Sequence, residues 1–230
     1  MRTALKAAFP LTLPVMAGYL FLGLGFGVLL HQAGFGAGWA MLMSGGIYAG
    51  AMQYVAIGLL AQGAGVVECA LMTLLVNARH IFYGITMAPR YRDTGAAKPY
   101  LAFALTDETI ALLSLSPVPE GLEPRRFYLA VSLLNHAYWV IGSALGSLAG
   151  QLLPFDLRGI EFSMTALFVV MLTEQWRSKA ARLSVLLGLA GSLACLLLLG
   201  PDRFAVPAML LLAGLLFLFK RRNTAQEGAA

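Results

Sequence analysis

From Ala7 to Val67 the chain contains no aspartate, glutamate, lysine or arginine. A water-soluble domain is about 25% charged, because charges over its whole surface keep it dispersed in water. Here 59% of the residues are hydrophobic and only 12% are charged. A chain of 230 residues cannot hide this much apolar sequence inside a soluble core, so its solvent is a lipid bilayer.

The net charge of +5 arises largely from short basic clusters that each follow an apolar segment. These clusters are Arg90/Arg92/Lys98, Arg177/Lys179/Arg182 and Lys220/Arg221/Arg222. Cytoplasmic loops of membrane proteins carry this kind of excess. The charge pattern therefore indicates membrane topology and argues against nucleic acid as a partner.

Cys69 and Cys195 lie in apolar runs without metal-ligand spacing, so we predict neither a metal site nor a cofactor.

Apolar segments of suitable length predict an all-α polytopic membrane protein, since a hydrocarbon core of ~30 Å takes about 20 helical residues. The segments cover residues 10–30, 39–60, 66–88, 127–151, 161–176, 183–200 and 204–219. An eighth segment, 100–116, carries Asp107 and Glu108, and a charge at mid-membrane depth costs ~2.5–3.5 kcal/mol. With seven spans, an outside N-terminus and 100–116 at the inner face, every basic cluster becomes cytoplasmic. We predict seven transmembrane helices, with eight as the alternative.

Two segments of the chain also resemble each other. Tyr19–Gln32 aligns without a gap to Tyr138–Gln151, sharing tyrosine, two glycines, leucine and glutamine. A glutamine beside an aromatic follows each copy, at Gln53 and at Gln175. If 100–116 does not cross the membrane, the copies insert in opposite orientations. Inverted repeats of this kind are the plan of many secondary transporters.

The predicted organisation is a single membrane domain over residues 1–230. Its parts are a first repeat (8–88), a cytoplasmic-side connector with an interfacial or re-entrant segment (89–126), a second repeat (127–200), a last transmembrane helix (201–219) and a cytoplasmic tail (220–230).

Glycines recur at intervals of four residues within these spans. They are Gly23, Gly27, Gly46, Gly50, Gly142, Gly146 and Gly150. Glycines spaced in this way clear one helix face, so that a second backbone can approach closely. We predict that they serve helix packing.

Polar side chains concentrate in the stretch VNARHIFYG, Val76 to Gly84. On a helix, Asn77 and His80 share one face, while Arg79 and Tyr83 share another. Arg79 could snorkel to the lipid headgroups and His80 could be a neutral residue between helices. The functional alternative is that the cluster lines a transport path, because polar groups at membrane depth are costly without a role.

The stretch LTDETIAL, Leu105 to Leu112, is the second polar concentration. Thr106 can cap a short helix, with Asp107 and Glu108 stabilised by the positive end of its dipole. The functional alternative makes one acid a proton carrier or the counter-charge of an amino group. Adjacent acids point about 100° apart on a helix, so one face does not hold both easily.

Together these stretches resemble the AzlC/YgaZ family of membrane proteins. The likeness extends from about Ala8 to Lys220 and includes AAFPLTLPVMAGYLFLGLGFG, YAGAMQYVAIGLL, LLVNARHIFYG, LTDETIAL and the run at Trp139, Gly142 and Gly146. The pattern Asn-x-Arg-His-x-x-Tyr is matched at every position, although Ala78 stands where leucine is commoner.

The resemblance implies the large subunit of a branched-chain amino acid exporter in the inner cell membrane. It also implies a small AzlD/YgaH-like membrane subunit as partner. The chain has no HExxH, GxSxG or GxxxxGK[ST] motif, so we predict that it is neither an enzyme nor an ATPase.

Our leading hypothesis is a gradient-driven exporter of neutral apolar amino acids. A channel or scaffold subunit for another small solute is the alternative. The predicted substrate-binding residues are Gln53, Asn77, Tyr83 and Gln175. The residues predicted to couple protons or gate the path are His80, Asp107, Glu108 and Arg79.

Overall fold

The computed structural model describes residues 1–152, 169, 172–173, 176–177, 182–200, 204, 207–208 and 211. The chain divides into two compact units, Met1–Met164 and Thr165–Ala230. Within the described residues every regular element is helical and none is a strand, as the sequence predicts. Gln175, most of the predicted spans 161–176 and 204–219, and the tail 220–230 lie outside the described residues.

Two helices of the first unit are long and apolar enough to cross a membrane. Helix α1 is Arg2–Gln32 and helix α8 is Pro124–Leu152, with 31 and 29 residues. At ~1.5 Å rise per residue, each exceeds the ~30 Å thickness of a hydrocarbon core. These helices agree with the predicted spans 10–30 and 127–151.

Helices α1 and α8 pack against each other through glycines. A Cβ placed on Gly23 would lie 3.0 Å from the Ser143 nitrogen, and one on Gly142 would lie 2.9 Å from the Tyr19 oxygen. A Cβ on Gly27 or Gly146 would overlap the backbone of the opposite helix. The backbones are therefore in direct contact, which only residues without a side chain permit.

The predicted second span, 39–60, is broken into two helices, α2 (Ala37–Gly46) and α3 (Gly50–Ala61). Tyr48 lies in the break with a φ of 47°, a left-handed conformation that costs roughly 1–2 kcal/mol in a residue other than glycine. Gly50 begins α3 under the Trp139 ring, which a Cβ would approach to 3.1 Å. A Cβ on Gly46 would have nothing within 4 Å, so Gly46 does not make the close helix contact that the sequence predicts for it.

The predicted third span, 66–88, is also interrupted. Helices α4 (Val66–Asn77) and α5 (Arg79–Met87) meet at Ala78 with a bend of 49°. Taken as one broken span, the pair raises the number of candidate spans in the described residues from two to three. The larger count of seven or eight stays a prediction.

The doubtful segment 100–116 forms two short helices. After a 3₁₀ turn at Gly95–Ala97 come α6 (Lys98–Phe103) and α7 (Asp107–Leu115), separated by a turn that ends at Thr106. Helix α7 has nine residues. Neither helix is long enough to cross a hydrocarbon core by itself.

Helix α9 (Arg182–Leu199) belongs to the second unit, and its part Val185–Leu199 is strongly apolar. It agrees with the predicted segment 183–200.

Large apolar side chains cover the outside of the first unit. Phe21 is 68% exposed, Val66 86% and Phe82 67%. In water such a surface would aggregate, whereas lipid chains solvate it. The interior instead holds fully buried polar residues, among them Gln53 and Asn135.

Candidate functional site

The bend between α4 and α5 brings the polar residues of the VNARHIFYG stretch together. The His80 ring nitrogen Nδ1 lies 3.2 Å from the Asn77 carbonyl oxygen. The Asn77 oxygen Oδ1 and the Arg79 nitrogen Nε are buried and have no hydrogen-bond partner among the described residues. The bend therefore offers one free acceptor and one free donor to a ligand.

Asp107 joins this bend to the start of α7. Its Oδ2 lies 2.9 Å from Nη1 of Arg79, and the Tyr83 hydroxyl donates a hydrogen bond to its Oδ1. The Arg79 and Asp107 side chains are 31% and 32% exposed, so the ion pair lies at the border between protein and surroundings. Burial raises the pKa of Asp107, and this effect outweighs the opposing effect of the Arg79 guanidinium. Asp107 is therefore easier to protonate than an exposed aspartate.

Glu108 points to a different helix. Its Oε2 accepts a hydrogen bond of 2.6 Å from the Tyr19 hydroxyl of α1. The same hydroxyl lies 2.7 Å from Oγ1 of Thr106, which in turn caps α7 by accepting from the Thr109 nitrogen. The cap and the first-turn acids are those that the sequence predicts for a helix N-terminus.

Gln53 is engaged entirely within the protein. Its Oε1 accepts from Nε1 of Trp139 at 2.8 Å, and its Nε2 donates to Oγ of Ser44 at 3.2 Å. The side chain is fully buried and ties α2, α3 and α8 together. Its polar atoms are thus paired with neighbouring helices, and the substrate-binding role predicted for Gln53 stays a prediction.

Tyr48 and His136 were not predicted as functional residues, although they lie beside these groups. Their rings stack at a centroid distance of 4.2 Å. His136 also lies 3.1 Å from the Tyr100 hydroxyl and 3.2 Å from the Ser44 carbonyl oxygen. The glycine-rich stretch GGIYAG around Tyr48 was the available signal, because glycines on both sides weaken a helix.

Two buried polar atoms near α7 are unsatisfied. They are the Tyr48 hydroxyl and Oδ1 of Asn135, neither of which has a hydrogen-bond partner among the described residues. Leaving such a group unpaired costs about 1–3 kcal/mol. A hydrogen-bonding partner at these two atoms would remove that cost.

The structure thus brings together one cluster of predicted site residues, namely Asn77, Arg79, His80, Tyr83 and Asp107. Glu108 lies next to this cluster and contacts α1 instead. Gln53 belongs to a separate buried network. In the part of the chain that the structure describes, no group of metal-binding side chains is found.

Known proteins resemble this sequence along most of the chain. The family model described as AzlC protein matches residues 14–153. The branched-chain amino acid transport protein AzlC of Bacillus subtilis is 42% identical over 95% of this chain and 86% of its own length. A Helicobacter pylori relative, an uncharacterized membrane protein, is 43% identical over 95% of this chain and 96% of its own.

A more distant relative is the inner membrane protein YgaZ of Escherichia coli. It is 28% identical over 87% of this chain and 82% of its own length. No solved structure matches the chain. These matches confirm the family that the sequence motifs predict: the protein belongs to the AzlC family and is a multi-pass membrane protein.

Proposed function

We propose that this protein exports branched-chain amino acids, namely valine, isoleucine and leucine, together with methionine, across the inner membrane. The name of the Bacillus subtilis relative supports branched-chain amino acids as the substrate class. The observation that carries a transport mechanism is the Arg79–Asp107 ion pair, which links a bent helix to the start of another. Ionised groups held at helix breaks are typical of coupled transport sites.

The breaks provide the means of recognising an amino acid. At the α4–α5 bend, the free amide oxygen of Asn77 and the Tyr83 hydroxyl are the groups offered to the substrate. The apolar side chain of the substrate is stabilised when it leaves water for a space between apolar helices. Polar groups at the helix ends hold the charged end of the substrate.

Export against a concentration gradient needs a coupled ion, for which we propose the proton. Asp107 or Glu108 carries it, with His80 as the next carrier because histidine titrates near neutrality. Protonation of Asp107 removes the charge that holds Arg79, which would free α5 from α7. Arg79 is thereby the gating residue of the proposed cycle.

The proposed assembly includes a small AzlD/YgaH-like membrane subunit. The inverted repeat, with seven spans, supplies the symmetry by which the site opens to each side in turn. The partner is what the family resemblance implies, and the repeat is supported by the similarity between Tyr19–Gln32 and Tyr138–Gln151.

The test is efflux of labelled valine, isoleucine, leucine and methionine from cells that express the chain with its small partner. We expect saturable, gradient-dependent efflux that Asp107→Asn and His80→Ala abolish at normal membrane abundance. Glu68→Gln is the matched control, because Glu68 also lies in the first turn of a helix but is exposed. Absence of efflux for every one of the four amino acids would refute the proposed substrate class.

A further inference from the structure

Glu108 lacks the cationic partner that its neighbour has. Asp107 pairs with Arg79, whereas no lysine or arginine in the described part of the chain pairs with Glu108. Its carboxylate accepts a hydrogen bond from the neutral Tyr19 hydroxyl. The N-terminus of α7 and the Tyr19 hydroxyl stabilise its charge in part, and a positively charged ligand would add the counter-charge that Asp107 finds in Arg79. A cationic ligand is the simplest source of that charge.

Glu108 belongs to a continuous chain of hydrogen bonds that crosses from α1 to α8. Tyr19 bonds both Glu108 and Thr106, Thr106 bonds Thr109 at 3.0 Å, and Thr109 accepts from Nδ2 of Asn135 at 3.1 Å. The chain ends at the Asn135 amide, whose other atom, Oδ1, is fully buried and unpaired.

Tyr48 completes the cluster from the break between α2 and α3. Its side chain is 97% buried, since only 3% of it is exposed, and its hydroxyl forms no hydrogen bond with the described residues. It packs in the same buried cluster as Tyr19, the residue whose hydroxyl donates to Glu108. The backbone of Tyr48 is left-handed at this break, and its ring is buried there.

The unsatisfied atoms are matched to one chemical group. A primary ammonium has a single positive charge and three N–H donors. The cluster offers a carboxylate at Glu108, an unpaired amide oxygen at Asn135 and an unpaired hydroxyl oxygen at Tyr48. An anion would instead be repelled by Glu108, and Oδ1 of Asn135 could not donate a hydrogen bond to it.

We propose that Glu108, Tyr48 and Asn135 bind the ammonium group of the transported amino acid. This assignment rests on the proposed function for the identity of the ligand, but its chemistry can be tested without transport. It divides the adjacent acids between two tasks: Glu108 holds the substrate, and Asp107, already paired with Arg79, carries the coupled proton.

The experiment compares ligands that keep or lose the ammonium group. The full chain in lipid nanodiscs is heated with increasing valine, with isobutylamine, which keeps the ammonium but lacks the carboxylate, or with the α-keto acid of valine, which lacks the ammonium. We expect valine and isobutylamine to raise the melting temperature and the keto acid to leave it unchanged.

Variants then assign the effect to residues. Glu108→Gln retains a hydrogen-bond acceptor for Tyr19 but removes the charge, so the valine concentration for half-maximal stabilisation should rise by at least ~10-fold. Tyr48→Phe keeps the ring stack on His136 and should raise it by about 3–10-fold. Glu68→Gln should leave it unchanged.

The proposal is overturned if the keto acid stabilises the protein as well as valine does, or if Glu108→Gln binds valine with unchanged affinity. Should Glu108→Gln fail to fold, unchanged valine affinity in Tyr48→Phe overturns it. Valine export that is insensitive to both variants would leave the transport function intact and remove the ammonium site. Isobutylamine binding that Glu108→Gln weakens, without binding or export of any branched-chain amino acid, would keep the site and remove the transport function.

Discussion

At the scale of single residues, Asp107 and Glu108 are neighbours whose surroundings differ. Because adjacent helical residues point about 100° apart, Asp107 reaches α5 while Glu108 reaches α1. A double-mutant cycle on Arg79→Gln and Asp107→Asn should give a coupling energy of about 0.5–3 kcal/mol in thermal or denaturant unfolding. A coupling energy near zero would mean that the ion pair does not hold α5 to α7.

Gln53, predicted to bind substrate, is hydrogen-bonded to two other helices in this structure. Replacing it with alanine would leave Nε1 of buried Trp139 unpaired, so we expect Gln53→Ala to lower the free energy of unfolding by about 1–3 kcal/mol. Gln62→Ala is the control, because Gln62 is an exposed residue at the end of the same helix. Unchanged stability combined with weaker valine binding would instead make Gln53 a substrate ligand.

At the scale of elements, the contact between α1 and α8 depends on glycines. A methyl group on Gly27 would meet the backbone of Ser143, which cannot move aside as a flexible side chain can. Gly27→Ala should therefore lower the free energy of unfolding by about 1–3 kcal/mol. Gly18→Ala, in the same helix but with nothing within 4 Å, should be neutral or stabilising. Equal melting temperatures for the two variants would contradict this packing.

The broken helices show the limit of sequence prediction at this scale. Hydropathy located the apolar stretches 39–60 and 66–88, because apolar length is a local property of the chain. It did not locate the breaks at Tyr48 and Ala78. The glycines of GGIYAG indicate a weak helix around Tyr48, but the stack of its ring on His136, a residue far away in sequence, is not part of any local pattern.

At the scale of the whole molecule, the proposed topology places the loop after α5 in the cytoplasm and the loop after α3 outside. We expect Asp93→Cys to react with impermeant thiol reagents only from inside, and Gln62→Cys only from outside. Both positions are exposed, and Cys69 and Cys195 are first replaced by serine. Reaction of Asp93→Cys only from outside would rule out both the seven-span topology and the inverted repeat.

From the sequence alone we could predict that this is a membrane protein, that it is helical, and which family it belongs to. Those conclusions follow from composition, apolar segment length and motif spacing, all of which are properties of the chain read in order. Which polar groups form hydrogen bonds and ion pairs with one another depends on the tertiary structure. Gln53 is hydrogen-bonded to Trp139, and Asp107 is paired with Arg79. Tyr48 and Asn135 each keep an unpaired oxygen in the neighbourhood of Glu108. Hydrogen bonds act over about 3 Å, so their partners are fixed only when distant segments of the chain pack together.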